Sequence, residues 1–204
     1  MPRVTDAYLA ARRNQVLDAV RACVDRDGLQ GATMEGIIGL SGLSTGTVYK
    51  YIRGKDEGVE AAMGSALDGL TAVMLPYLTA DPLPPPAEVM GQLSRTVEAF
   101  ARHEEYSLLR VAVHGWSAAL SSPALLERTA PLYRAFRELL HDAAVTWKAD
   151  GALPEDAVPE DVASCLLSLL VGQVAQQALL SDTSAEQQAR GYAALFANGA
   201  SART

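Results

Sequence analysis

TMEGIIGLSGLSTGTVYKYI, from Thr33 to Ile52, limits what this chain can fold into more than any other segment. Thr33 is an N-cap residue type standing before Met34, Ile37 and Ile38, whose spacing places the three apolar side chains on one side of a short helix. Gly42 follows, the residue type that ends helices in left-handed backbone. Two residues on, Ser44 offers a second N-cap, and Val48 and Ile52 recur one turn apart on the helix it opens. Upstream, Val16, Leu17, Val20, Cys23 and Val24 make an apolar stripe on a longer helix, with Gly28 as its expected stop. A long helix followed by two short ones across a glycine turn is the pattern of a helix-turn-helix unit.

The rest of the chain keeps the same period. Val59, Met63, Leu67, Leu70, Met74 and Leu78 predict a helix from Lys55 to about Thr79. Four prolines in the five positions Pro82 to Pro86 then force a stiff connector, Asp81 to Pro86, with Pro86 placed to open the next helix. Val89, Met90, Leu93, Val97 and Phe100 mark that helix, and Leu108, Leu109, Val113, Trp116 and Leu120 another, with a soft boundary near HEEY. Ser122 and Pro123 start a long helix to Asp150, with a kink expected at Pro131 and a stop at Gly151. Pro159 begins an apolar helix to about Leu180, and SAEQ, Ser184 to Gln187, is a capping box opening a last helix that ends at Asn198–Gly199 before a frayed tail. No segment reads as a strand, so the fold class is all-α. With 49% apolar and 20% charged residues the 204-residue chain belongs with globular proteins. The expected division is a three-helix domain over residues 1–54 and a larger helical body over 55–204.

Charge separates these two parts. Residues 1–55 carry eight Lys/Arg against five Asp/Glu, a balance of +3, while the remainder balances at −10 within the overall −7. A basic end on an acidic body points to an anionic partner met at one end. At roughly 100° per residue, Gly46 and Lys50 face away from Val48 and Ile52. A second helix of this kind enters a DNA major groove, where Lys50 can donate to guanine O6/N7 or a phosphate and Thr45 and Thr47 can meet base edges. Gly46 lets the backbone approach. Tyr49 and Tyr51 suit phosphate oxygens, and Lys55 adds its charge to the free N–H groups of the next helix.

The segment TMEGIIGLSGLSTGTVYKYIRGKDE, within a match over about residues 12 to 60, closely resembles the signature of the tetracycline-repressor (TetR) family of bacterial transcription regulators. That resemblance implies phosphate contacts from Thr33, Tyr49, Tyr51 and Lys55, and base-edge contacts from Thr45, Gly46, Thr47 and Lys50. It also implies an all-helical homodimer, repression as the outcome, and an inducer pocket in a C-terminal body that diverges too freely for ligand residues to be transferred. The chain departs from the family pattern at Glu35, Ile38 and Gly58, the last costing about 1 kcal/mol of helix stability relative to Ala.

Dimerisation follows from the short reading helix, since two copies can address half-sites centred about 34 to 36 Å apart or a multiple of that. Leu166, Leu169, Leu170, Val174, Tyr192, Leu195 and Phe196 on the last two helices are the candidate interface. Phe100, His114, Trp116, Tyr133 and Trp147 are the candidate contacts of a small, largely apolar ligand, each weighed against a place in the core.

Other classes fit less well. HGWSA, from His114, lacks the second glycine and the preceding strand of a hydrolase nucleophile elbow. GLSTGT lacks the gap and the Gly-Lys ending of a phosphate-binding loop. No metal is expected, because the histidines have no ligand spacing and Cys23 and Cys165 form no pair; both read as small core residues, and no cofactor is called for. The start of the chain shows no secretory pattern, and Val162 to Gly172 runs into Gln173, Gln176 and Gln177 short of the roughly 20 apolar residues of a membrane span, which places the protein in the cytoplasm. The alternative to a DNA-binding regulator is a helical ligand-binding or scaffolding protein without DNA binding.

Overall fold

The computed structural model describes residues 5–103, 105–180 and 182–197, so the expected stop at Asn198–Gly199 and the tail lie outside the described residues. Among the described residues there are nine helices and no strand, with one isolated bridge between Arg102 and Ser107. They are α1 (Asp6–Gly31), α2 (Met34–Ser41), α3 (Thr45–Val48), α4 (Lys55–Leu78), α5 (Pro86–Ala101), α6 (Leu108–Ser121), α7 (Pro123–Ala149), α8 (Pro159–Leu179) and α9 (Ala185–Ala197).

Local chemistry accounts for most boundaries. Thr33 and Ser44 cap α2 and α3, accepting from the N–H groups of Gly36 and Thr47 at 3.1 and 3.3 Å. Gly28, at φ 69° and ψ 172°, interrupts α1, and Gly42, at φ 63°, stops α2; both sit where a side chain is strained. Proline opens α5, α7 and α8. At α9 the capping box closes both ways: Gln187 Oε1 accepts from the Ser184 N–H at 2.7 Å, and Ser184 Oγ accepts from the Gln187 N–H at 3.3 Å. Pro76 lies inside α4, unforeseen, but only two residues from its end, where little of the hydrogen-bond ladder remains to be broken.

The chain packs as two compact units, residues 1–66 with 102–128, and residues 67–101 with 129–204. This differs from a division at residue 54: the first turns of α4 and all of α6 share a core with α1. In the first unit Val16, Leu17, Val20 and Cys23 of α1 meet Ile37, Val48, Ile52, Val59, Met63 and Val111, all buried. Val48 and Ile52 are at most 1% exposed, and each full burial of this kind is worth about 1.5–3 kcal/mol. In the second unit α5 packs against α9 and α8, and Arg95 pairs with Glu186 at 2.7 Å.

Two expectations need correction. Cys165 is exposed, not core. Gln173 and Gln177 belong to the buried stripe of α8, with Ala163, Leu166 and Leu170, and Gln173 Nε2 donates to the Ser94 carbonyl at 3.1 Å. By length and composition α4 and α8 both reach the range of a membrane-crossing helix, which the run from Val162 to Gly172 alone did not suggest.

Candidate nucleic-acid interface

α3 is a single turn, so its shape depends on what flanks it. The Ser44 hydroxyl caps it and lies 2.8 Å from Thr47 Oγ1, while the N–H groups of Tyr51 and Ile52 both return to the Val48 carbonyl. Val48 and Ile52 pin one side into the core. Thr45, Gly46, Tyr49 and Lys50 are left exposed on the other, Tyr49 at 47%. No atom lies within 4 Å of where a Gly46 side chain would start, so nothing inside the subunit requires glycine there. Thr47 and Tyr51 are half-buried; the Thr47 hydroxyl is engaged with Ser44, and the Tyr51 ring leans on the core.

Thr33 is exposed at the start of α2, where its hydroxyl is already engaged as the cap. Lys55 is not a free cation: Nζ donates to the Leu29 carbonyl at 3.2 Å, tying the first turn of α4 to the end of α1. A phosphate at Lys55 would have to share it with that carbonyl. Gly58 has a steric reason, since a Cβ there would stand 2.9 Å from Ile52 Cδ1 and 3.2 Å from Val20 Cγ2. The glycine lets α4 close down on the residues that anchor α3.

Behind this surface α1 is clamped to α6. The Asp25 carboxylate accepts two bonds from Arg110, at 2.7 and 2.8 Å, and one from the Ser107 N–H at 3.2 Å. Burial alone would raise the Asp25 pKa; the hydrogen bonds from Arg110 and Ser107 and the Arg110 charge together bring it below the ordinary value. Arg21, nearly buried, donates to the Ala62 carbonyl at 2.9 Å and pairs with Asp18 at 2.8 Å, and Asp18 also accepts from the Tyr106 hydroxyl at 2.8 Å. Burial first, and the bond to Asp18 second, push Tyr106 up to about 12.

The remaining predicted residues scatter. His114 lines a cleft of about 590 Å³ within the first unit, walled by Asp27, Asp56, Glu60, Ser117 and Leu125 among others. Trp116, Phe100 and Tyr133 are half-buried. Trp147 is buried, 1% exposed, with its indole N–H donating to the Pro84 carbonyl at 2.7 Å. In the interface set Leu166, Leu170 and Tyr192 are buried inside their own subunit and cannot also face a partner, whereas Leu195 is 69% exposed and Leu169, Val174 and Phe196 are half-buried. No group of three or more His, Cys, Asp or Glu placed to hold a metal occurs among the described residues.

The fold recurs in solved structures. A transcriptional regulator structure from Pseudomonas aeruginosa PAO1 superposes with a TM-score of 0.78 over 98% of this chain and 96% of its own, at 22% identity. A TetR transcription regulator from Haloarcula marismortui does so with a TM-score of 0.73 over 93% and 97%, at 19% identity. No family model matches. In sequence, the chain is 30% identical over 181 residues to the HTH-type transcriptional repressor Rv1474c of Mycobacterium tuberculosis, spanning 84% of each. The chain belongs to the TetR family of transcriptional regulators. Its relatives and structural neighbours are regulators, not enzymes, and HGWSA is accordingly an ordinary stretch of α6 in this TetR regulator. Gly115 there has a packing reason: a Cβ would collide with Met63 Cε.

Proposed function

We propose that this TetR-family chain is a cytoplasmic repressor that binds a palindromic operator as a homodimer and is released by a small ligand. The carrying observation is the capped turn of α3, pinned by Val48 and Ile52 with Thr45, Gly46, Tyr49 and Lys50 outward. On this reading Thr45, Gly46, Thr47 and Lys50 meet base edges, while Thr33, Tyr49, Tyr51 and Lys55 meet phosphates. Residues 1–54 form the functional reading domain, although their packing extends further.

The dimer reading draws support from α8 and α9. Gln173 and Gln177 are turned inward while Leu179 and Leu180 are 75% and 61% exposed, an arrangement that suits a helix whose outer side meets apolar surface from a second copy. For the ligand, the cleft beside His114 mixes carboxylates and serine hydroxyls with Val59 and Leu125. Such walls suit a molecule with hydrogen-bonding groups better than the largely apolar one expected from aromatic content. Ligand and operator would oppose each other by favouring different conformers.

Selection of bound duplexes from a random pool tests this directly. The expected product is an inverted repeat with half-site centres about 34 to 36 Å apart or a multiple. A pool that stays unenriched after repeated selection would leave the scaffolding alternative in its place.

A further inference from the structure

The proposed contacts all lie from Thr33 onward, yet the best-prepared cation in the reading unit sits on α1. Tyr8, Arg12 and Gln15 share one side of that helix, at spacings of four and three residues. Gln15 Nε2 donates to the carbonyl of Ser41, the last residue of α2, at 2.7 Å, and Gln15 Oε1 accepts from Arg12 Nη1 at 2.6 Å. The Arg12 guanidinium also rests 5.1 Å from the centre of the Tyr8 ring.

Ser41 extends this chain of bonds towards the reading helix. Its hydroxyl donates to the Ile38 carbonyl at 2.8 Å and accepts from the Leu43 N–H at 3.1 Å, and the next residue is the Ser44 cap. From Arg12 to the start of α3 the links are therefore hydrogen bonds or adjacent residues. The guanidinium is held in register with the turn joining α2 to α3.

Nothing in the subunit explains a charge fixed in that way. Among the described residues no carboxylate stands within ion-pair distance of Arg12, and its one hydrogen-bond partner is a neutral amide. A guanidinium has five N–H donors in a rigid fork, of which Arg12 spends one inside the fold. Resting on Tyr8 and Gln15 it loses little further freedom on meeting an anion. A helix seated in a groove about 12 Å wide has phosphates along both sides, and the turn entering that helix lies beside one of those rows.

We propose that Arg12 is a further DNA-binding residue, clamping a backbone phosphate beside the major groove, and that Gln15 is its positioning residue. This rests on the reading of α3 as the helix in the groove. The contact is sequence-independent: it adds affinity and sets register without choosing bases.

The test uses the full-length protein and a fluorescent random-sequence duplex, with affinity followed by anisotropy between about 50 and 200 mM salt. Each lost phosphate contact should flatten the plot of log affinity against log salt by about 0.9. Arg12→Ala should show that flattening once per bound subunit, with unchanged helical circular dichroism. Arg12→Lys, keeping the charge without the fork, should restore most of the slope and only part of the affinity. Arg13→Ala removes an exposed charge on a different side of α1 and should change the slope much less. The proposal is overturned if Arg12→Ala leaves the slope intact, or if the two alanine variants flatten it equally, since that would report the general field of a basic domain. A wild-type protein without salt-dependent binding would instead refute the DNA-binding reading itself.

Discussion

Gly58 offers a sharp test of how the reading helix is held, because α4 contains a second glycine that differs from it in one respect. A Cβ on Gly58 would stand 2.9 Å from Ile52 Cδ1 and 3.2 Å from Val20 Cγ2, whereas a Cβ on Gly64 would meet nothing within 4 Å. Alanine at either site gains about 1 kcal/mol of helix propensity. At Gly64 that gain stands alone. At Gly58 it is opposed by overpacking, typically about 1–3 kcal/mol, because Ile52 is 1% exposed and has only filled core to move into, and Val20 is stiff at χ1. The two variants should therefore differ by about 2 kcal/mol, with Gly64→Ala more stable than wild type and Gly58→Ala less stable by about 1 kcal/mol. For a chain of this size each kcal/mol moves Tm by about 2–4 °C, so thermal melts followed by circular dichroism should separate the variants by about 4–8 °C. Gly58→Ala should also weaken DNA binding more than its stability loss explains, since Ile52 anchors α3. If both substitutions raise Tm alike, the close approach of α4 to Ile52 is not a constraint and the account of the glycine is wrong.

Ser44→Ala removes the cap of a one-turn helix and should cost about 1 kcal/mol, seen as a roughly fivefold weaker affinity for a selected duplex. Glutamate at Leu179 or Leu195 should shift sedimentation from dimer to monomer, roughly tenfold or more in dimer dissociation constant, with helical content unchanged. The Asp25 clamp carries a definite pH signature. Its native pKa lies below the unfolded one, so its stabilisation is full above about pH 4 and disappears as pH falls through the depressed value. The advantage of wild type over Asp25→Asn in urea midpoint should shrink over that acid range; with Arg110 56% exposed, it should start at about 1 kcal/mol or less.

Features that depend on neighbours in sequence were readable from the chain. The caps Thr33, Ser44 and Ser184, the breaks at Gly28 and Gly42, and the prolines opening α5, α7 and α8 each act within four residues. The inward pair Val48 and Ile52 follows from helical spacing alone. What escaped depends on distant partners. Lys55 looks like a free cation until the carbonyl of Leu29, 26 residues upstream, is placed beside it, and Gln15 reaches Ser41 over the same separation. Leu166, Leu170 and Tyr192 have the composition of an interface but are consumed by the subunit's own core, and an aromatic such as Trp147 carries no local sign of whether it fills a core or lines a cavity. Gly58 read as a local helix cost because its benefit, room for Ile52 and Val20, exists only after α4 has packed.

Discrimination by Lys50 between a selected duplex and its scrambled counterpart puts the central claim to the most direct test. Lys50 is exposed in the turn that leaves α3, away from the buried Val48 and Ile52, so Lys50→Ala should weaken binding to the selected duplex by about 1–3 kcal/mol while leaving the scrambled duplex much less affected. Equal losses on both duplexes, or none on either, would contradict the placement of α3 against base edges.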